Sequence, residues 1–369
     1  MRSIRAAVSP GETRLAVCDD QGELLEYGVW RPYCPDGVGD VYAGQVHKIV
    51  PALGGIFVAL DDGDFFGFLP LGAAGKHLSE GDLAGVRVIR AAQGGKGPRL
   101  VLCPEEALPA GKKGLIRRGP GILHELAARN EGAPILIDDA RAMAGLRGEF
   151  GDRVSLVKSA FDEELAAQVA GLYEPVCVLA GGGRVHFSIT PALSAIDVDL
   201  GAGSGADIGK NRAHLDANRA AIAVIARQIC LRNLGGVVLI DFAGLKPRAR
   251  AALGPDLQAA LLDDPQRPRL LGFTHSGLAE ILRPRARPPL AELAESAVGL
   301  GLAALREAAT IVRHQPQARL HLRLRGDVAA ALRSMPGVVE ALTYGASFKP
   351  VIVDVPGMNA AYEVSESVS

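Results

Sequence analysis

The stretch from Ser194 to Gly244 constrains this chain more than any other. Two apolar, strand-like runs, Ser194–Leu200 and Gly236–Phe242, flank a long helical segment that is preceded by a glycine-rich loop. Each run carries acid near its C-terminal end: Asp197 and Asp199 on the first, Asp241 on the second. If the two runs are neighbours in one sheet, three carboxylates converge on a patch small enough for one divalent cation. The intervening helix is predicted from about Asn211 to Leu234. Ile222, Ile225 and Ile229 share one of its faces at helical spacing, and Gly235-Gly236 supplies the stop.

The rest of the composition narrows the class. At 369 residues the chain is long enough for two or more domains with separate cores. It has no uninterrupted apolar run of about 18 residues, as a membrane helix needs. The start, MRSIRAAVSPGETR, lacks the apolar centre of a signal peptide, so the expected location is cytoplasmic. Cys18, Cys34, Cys103, Cys177 and Cys230 are scattered, with no CxxC pair, and read as reduced thiols rather than a zinc site. Net charge is −1, which argues against a nucleic-acid binder, but Ala243–Arg333 holds fourteen Lys/Arg against eight Asp/Glu. A local basic surface of that kind suits phosphate backbones; the plainer reading is that the arginine runs solvate helices and loops.

Along the chain, residues 1–35 alternate apolar and polar positions around the turn Asp20-Gln21-Gly22 and read as a β-meander. Five short strands follow, at 41–50, 54–60, 65–71, 86–92 and 99–103. Such closely spaced strands predict a small closed barrel of the OB type. OB barrels hold single-stranded nucleic acid on aromatic and basic side chains, which makes Phe57 and Phe68 candidate stacking residues; core positions are the alternative. Asp61, Asp62 and Asp64 oppose a strong electrostatic grip on RNA. A basic turn (112–121), a short helix, a strand at 134–139 and a helix at 161–173 come next. Residues 177–190 read as two strands joined by a glycine turn, completing the sheet begun by residues 1–35. Beyond Phe242 the pattern predicts a helix at 255–262, a strand at 270–274 and a helix at 277–283. A linker at 291–298 then leads to a small α+β domain at 299–369, whose tail after Gly357 reads as frayed.

Several of these segments resemble the bacterial ribonuclease E/G endoribonucleases. GDVYAGQVHKIVPALGGIFVALDDGDFFGFLPL (39–71) looks like that family's S1-type OB barrel, and GGKGPRLV (94–101) like its closing strand. AIDVD followed by IARQICLRNLGGVVLIDF (225–242) is similar to its catalytic signature, and SGLAEILRPRARPPL (276–290) to the end of the same domain. The resemblance implies a multidomain α+β fold. An RNase H-like domain (1–35 and 134–190) is interrupted by the OB-fold barrel (36–103) and a truncated 5′-sensor-like segment (104–133). A DNase I-like catalytic domain (191–290) and a small C-terminal domain follow. It further implies that Asp197 and Asp241 bind one Mg²⁺, with Mn²⁺ an alternative, for cleavage of single-stranded RNA. Asp199 joins them as a catalytic candidate, and Phe57, Phe68, Lys96, Lys112, Arg118 and Asn218 as RNA contacts.

The chain also departs from that pattern. Asp199 stands where the family usually has Asn, Pro191 where it has an acid, and Ala220 where it has a helix Glu. Arg118 falls on the sensor's phosphate-binding Arg, but Gly119 replaces the following Thr and most of the sensor's length is missing, which predicts little preference for a 5′-monophosphate. The zinc-binding cysteines of the family's link are replaced by AELAESAVGLG, leaving a zinc-independent homodimer or a monomer. One alternative is an RNA-binding protein of this fold with weak or no nuclease activity. Another is a dinucleotide site at GAGSGA (201–206), which the neighbouring Asp197 and Asp199 oppose electrostatically.

Overall fold

The computed structural model describes residues 1–72, 77–109, 111–180, 182–200, 210–315, 317–342 and 351–366. The glycine motif at 201–206 therefore lies outside the described residues. Strands β1 (Ser3–Ser9), β2 (Glu12–Cys18) and β3 (Leu24–Trp30) form the meander expected of residues 1–35.

The barrel follows, built from β4 (Val41–Val50), β5 (Gly55–Ala59), β6 (Phe66–Pro70), β7 (Leu83–Arg90) and β8 (Arg99–Leu102). The strands run β5-β6-β8-β7-β4, and β4 pairs with β5 to close the cylinder. All pairings are antiparallel except β6 with β8, as an OB-like barrel requires. Alternate residues point inward, and Val46, Ile56, Val58, Leu69, Val86, Val88 and Leu100 fill the interior. The basic segment after the barrel is a strand rather than a turn: β9 (Gly114–Arg117) adds to β4.

Next come α1 (Gly121–Arg129), β10 (Ile135–Ile137), α2 (Ala140–Phe150), β11 (Val154–Leu156) and α3 (Glu163–Gly171). Strands β10 and β11 extend the meander in parallel, giving the order β11-β10-β1-β2-β3. The sequence reading contains neither α2 nor β11. Helix α2 has no fully buried residue and carries Gly145 and Gly148, so its stripe of Ala142, Met143, Leu146 and Phe150, half-buried against the core, is short and weak; its start is set by the Asp139 side chain, which accepts the Ala142 N–H.

A second sheet holds β12 (Val176–Val178), β13 (Arg184–Ile189), β14 (Leu193–Asp199), β15 (Gly236–Asp241), β16 (Arg269–Phe273) and β17 (Ala279–Arg283), in the order β12-β13-β14-β15-β17-β16. Helix α4 (Lys210–Leu231) crosses between β14 and β15, and α5 (Pro247–Arg250) and α6 (Gly254–Ala260) follow β15. Two expectations are corrected. Residues 176–189 pair with β14 and so belong to this sheet, not to the sheet of residues 1–35. The segment 277–283, expected as a helix, contains strand β17, wedged between β15 and β16. Its helix-forming Leu and Glu residues are overridden by burial of Ala279, Ile281 and Arg283 on alternate positions.

Helix α4 packs on this sheet through Ile222, Ile225 and Ile229, each at most 2% exposed. Its stop differs from expectation. Asn233, at φ 53°, takes the left-handed position, Leu234 N–H returns to Ile229 O and Asn233 N–H to Cys230 O. Gly235 and Gly236 serve close packing instead: a Cβ on Gly236 would lie 2.3 Å from the Arg285 guanidinium.

The C-terminal part contains α7 (Leu290–Glu295), α8 (Ala297–His314), β18 (Leu320–Leu324), α9 (Gly326–Arg333), α10 (Val338–Leu342), β19 (Val351–Asp354) and β20 (Tyr362–Glu366). The expected linker at 291–298 is helical, with Ser296 capping α8 through Gly299 N–H. The expected frayed tail contributes β20, which pairs with β18. The chain divides into two units, one of Met1–Pro35, Ile122–Gln168 and Leu290–Ser369, the other of Asp36–Gly121 and Val169–Pro289. In the first, Glu12 (5% exposed) accepts from both Arg31 and Arg306, tying the meander to α8. No described helix is long and apolar enough to cross a membrane.

The second unit is pinned by a fully buried ion pair. Arg283 donates to both oxygens of Asp264 (2.6 and 3.2 Å), to Asn233 Oδ1 and to Leu234 O. Removing one partner strands a buried charge, so Asp264→Ala is expected to destabilise this unit by about 3–5 kcal/mol. Urea denaturation followed by circular dichroism checks this; a midpoint equal to that of the unsubstituted chain would contradict it.

Candidate active site and nucleic-acid interface

Strands β14 and β15 are parallel, and Asp197 is the direct register partner of Asp241. Neighbouring strands lie about 4.8 Å apart, so the two carboxylates start from adjacent points on one face. Burial fixes which face: Ile196, Val198, Ile240 and Phe242 point into the core under α4, which turns Asp197, Asp199 and Asp241 outward. On β13, His186 is the partner of Asp197 and Arg184 the partner of Asp199. The face thus carries a row His186, Asp197, Asp241, with Asp199 about 6.6 Å farther along β14. The expectation of three converging carboxylates is corrected to two: among the described residues, no three His, Cys, Asp or Glu side chains gather as a metal cluster. The cause is strand geometry, because β15 ends at Asp241 and offers no acid opposite Asp199.

Asp241 is held from the far side by Arg250 of α5, whose Nη1 lies 2.5 Å from Oδ1. Arg250 is itself anchored, donating through Nε to Leu245 O. Sequence reasoning missed it, since it reads as one basic residue in the run KPRAR. The chain just beyond Asp241 is clamped by Asn218 of α4, which is fully buried. Its Nδ2 donates to His214 O and to Ala243 O, and its Oδ1 accepts the Ala243 N–H. With both ends of the amide committed to backbone, Asn218 is corrected from an RNA contact to a residue that positions the Asp241 loop. The same loop turns at Gly244 (φ 66°), where a Cβ would lie 2.1 Å from the His214 ring.

On the barrel, Phe57 of β5 and Phe68 of β6 are direct partners, half-buried on the outer face, with ring centroids 5.6 Å apart and edge-to-face. Gly55 makes room for them, since a Cβ there would lie 2.1 Å from the Phe68 ring. The His47 and Phe66 rings lie 4.8 Å apart, tilted by 50°. Lys96 is exposed on the β7–β8 hairpin, whose tip Gly94-Gly95 has positive φ at both residues. Lys112 is exposed just before β9. Arg118 differs from the reading of a phosphate sensor in having a partner: its Nη1 donates to buried Asp40 (2.7 Å), which also takes Gly119 N–H. That pair fastens the end of β9 to the barrel. Burial, and then the Asp40 charge, raise the pKa of the neighbouring Tyr42.

The region around these carboxylates is also where known proteins match. Residues 135–286 match the model of the Ribonuclease E/G family. That match covers less than half of the chain. The chain is 31% identical over 153 residues to ribonuclease E of Haemophilus influenzae, covering 40% of this chain and 16% of that protein. It is 33% identical over 131 residues to ribonuclease E of Escherichia coli (35% and 12%) and 32% over 127 residues to a chloroplastic ribonuclease E/G-like protein of Arabidopsis thaliana (34% and 13%). These alignments thus span under a fifth of each relative's length. The family match runs from β10 through β17, so it includes the whole β14–α4–β15 site.

The role of Asn218 is testable. Asn218→Ala leaves the Ala243 amide unpaired and is expected to cost about 1–3 kcal/mol of stability, with RNA affinity of the folded protein unchanged at low temperature. Thermal denaturation and a filter-binding titration check both; lost RNA affinity without lost stability would make Asn218 a contact instead.

Proposed function

We propose that this chain is a metal-dependent endoribonuclease that cleaves single-stranded RNA at the outer face of β14 and β15. The observation that carries the reading is the Asp197–Asp241 register pair, two outward carboxylates on adjacent strands within the stretch that matches the Ribonuclease E/G family, in a chain whose curated relatives are named ribonucleases E and G. Mg²⁺ takes one or two carboxylates and keeps most of its waters, so a two-carboxylate face open to solvent suits it, and the same oxygens accept Mn²⁺. Asp197 and Asp241 would hold the ion. When bound, it would supply an activated water and offset charge on the phosphodiester.

The protein's own groups have separable duties. Arg250 orients the Asp241 carboxylate and offsets part of its charge. Asn218 and Gly244 fix the loop that follows it. Phe57 and Phe68 offer half-exposed aromatic rings on which bases stack without sequence preference, a contact worth about 1–3 kcal/mol per base. Asp199, beside Arg184 and one row away, has a supporting duty, so Asp199→Asn should retain cleavage.

A specific observation keeps a second reading in view. The Arg250–Asp241 pair occupies one carboxylate oxygen, which favours an RNA-binding protein with slow or no turnover. End-labelled single-stranded RNA separates the two readings. Cleavage is expected with Mg²⁺, and it is expected to vanish with EDTA and to fall at least 100-fold in Asp197→Asn and Asp241→Asn. Tight binding without any cleavage would overturn the nuclease reading.

A further inference from the structure

Around the outside of the barrel, one row of register partners runs Lys48 (β4), Phe57 (β5), Phe68 (β6), Arg99 (β8) and Arg90 (β7). Immediately after Arg90, Ala91 N–H donates to Ala286 O at 2.8 Å, which brings the barrel row up to Arg285, just past the end of β17. Three arginines therefore meet where the row ends. Such a concentration of like charge is unfavourable unless acids or bound anions offset it. Neither Arg90 nor Arg99 forms an ion pair with a described carboxylate, and Arg90 Nε is shielded from solvent with no hydrogen-bond partner. Burial, and then the charges of Arg99 and Arg285, lower the pKa of Arg90, with no acid acting the other way. Arg285 is locked in place by bonds to Gly235 O, Pro191 O and Ala192 O. These use three of its five N–H donors and leave two.

We propose that Arg90, Arg99 and Arg285 form a phosphate-binding notch that takes one phosphodiester of the bound RNA, next to the Phe57–Phe68 stacking pair. The proposal rests on the reading of the chain as an RNA enzyme and adds a second anchor for the strand. Arg285 grips the chain before β14, at Pro191 and Ala192, whereas Asp197 lies five residues farther on, about 17 Å along the strand. A strand stacked on Phe57 and Phe68 with a phosphate in the notch would thus be fixed at a set distance from the carboxylates. The two unused Arg285 donors supply N–H groups for the phosphate oxygens, and the charges of Arg90 and Arg99 beside them add attraction for the anion. Asp61, Asp62 and Asp64 all lie in the connection between β5 and β6, whereas Arg90 and Arg99 lie on β7 and β8.

The test is RNA binding in EDTA, where cleavage cannot intervene, as a function of salt. A phosphate contact on a single strand contributes about 0.7 to the slope of log K against log[salt]. Arg90→Gln and Arg99→Gln are each expected to lower the slope, by at most about 0.7, the whole contribution of the one phosphodiester they share. That limit corresponds to roughly fivefold weaker binding at 0.1 M salt, relative to a 1 M reference. Arg90→Lys and Arg99→Lys, which keep the charge, are expected to retain the slope and show that the fold is intact. Addition of 10 mM inorganic phosphate should compete no better than 10 mM chloride if the notch takes a chain phosphodiester; full displacement by it would mean a free-phosphate site and overturn the proposal. Unchanged slopes in both Gln variants would also overturn it, while metal-dependent cleavage by the same preparations would leave the nuclease reading standing. Reduced slopes in a protein that never cleaves would uphold the notch and remove the nuclease.

Discussion

The register of β14 against β15 is the constraint on which the rest depends. Ile196 pairs with Ile240 and both are buried, so Asp197 and Asp241 must face outward together. Slipping either strand by one residue would bury a carboxylate and expose an isoleucine, a penalty of several kcal/mol from the unpaired charge alone. The core under α4 therefore fixes the chemistry above it. The helix stop at Asn233 extends the same logic. Its side chain accepts from Arg283 and donates to Arg287 O and Pro288 O, so the start of β15 is tied to the end of the domain.

Barrel and second sheet meet as parts of one unit through Ala91–Ala286 and through Arg287 with Asp36. The barrel's aromatic pair and arginines are thus positioned by backbone rather than by long side chains alone. Gly236 contributes by its lack of a side chain, since it lets the Arg285 guanidinium lie against the strand. The Phe57–Phe68 pair, Arg90, Arg99, Arg285 and the Asp197–Asp241 pair all lie in this unit; on the proposed reading they meet the alternating bases and phosphates of a single strand.

Much of this was legible in the sequence, and the remainder was not for identifiable reasons. The strands that carry Asp197 and Asp241 and the apolar stripe of α4 follow from periodicity, and the barrel strands follow from their turns. Strand β17 was misread because Leu, Ala and Glu favour helices in isolation, whereas its neighbours β15 and β16 impose a sheet. Helix α2 is hard to read because its apolar face is only half-buried and is interrupted by Gly145 and Gly148. Asn218 reads as a ligand contact in sequence, which does not show burial, and a side chain with no exposure binds no RNA. The pairing of β12 and β13 with β14 was hidden because register between distant segments has no local signature. Arg250 and the Arg90–Arg99–Arg285 meeting were invisible for the same reason, as only the folded chain brings them together.

The most direct measurement of the central claim is metal binding itself, independent of turnover. Titration with Mn²⁺ followed by electron paramagnetic resonance should show one ion per chain, with Asp197→Asn and Asp241→Asn each weakening it at least tenfold. Arg250→Ala should tighten it, because the Asp241 oxygen it occupies is released. Binding that persists unchanged in both aspartate variants would show that the ion sits elsewhere and that the β14–β15 pair is not its site.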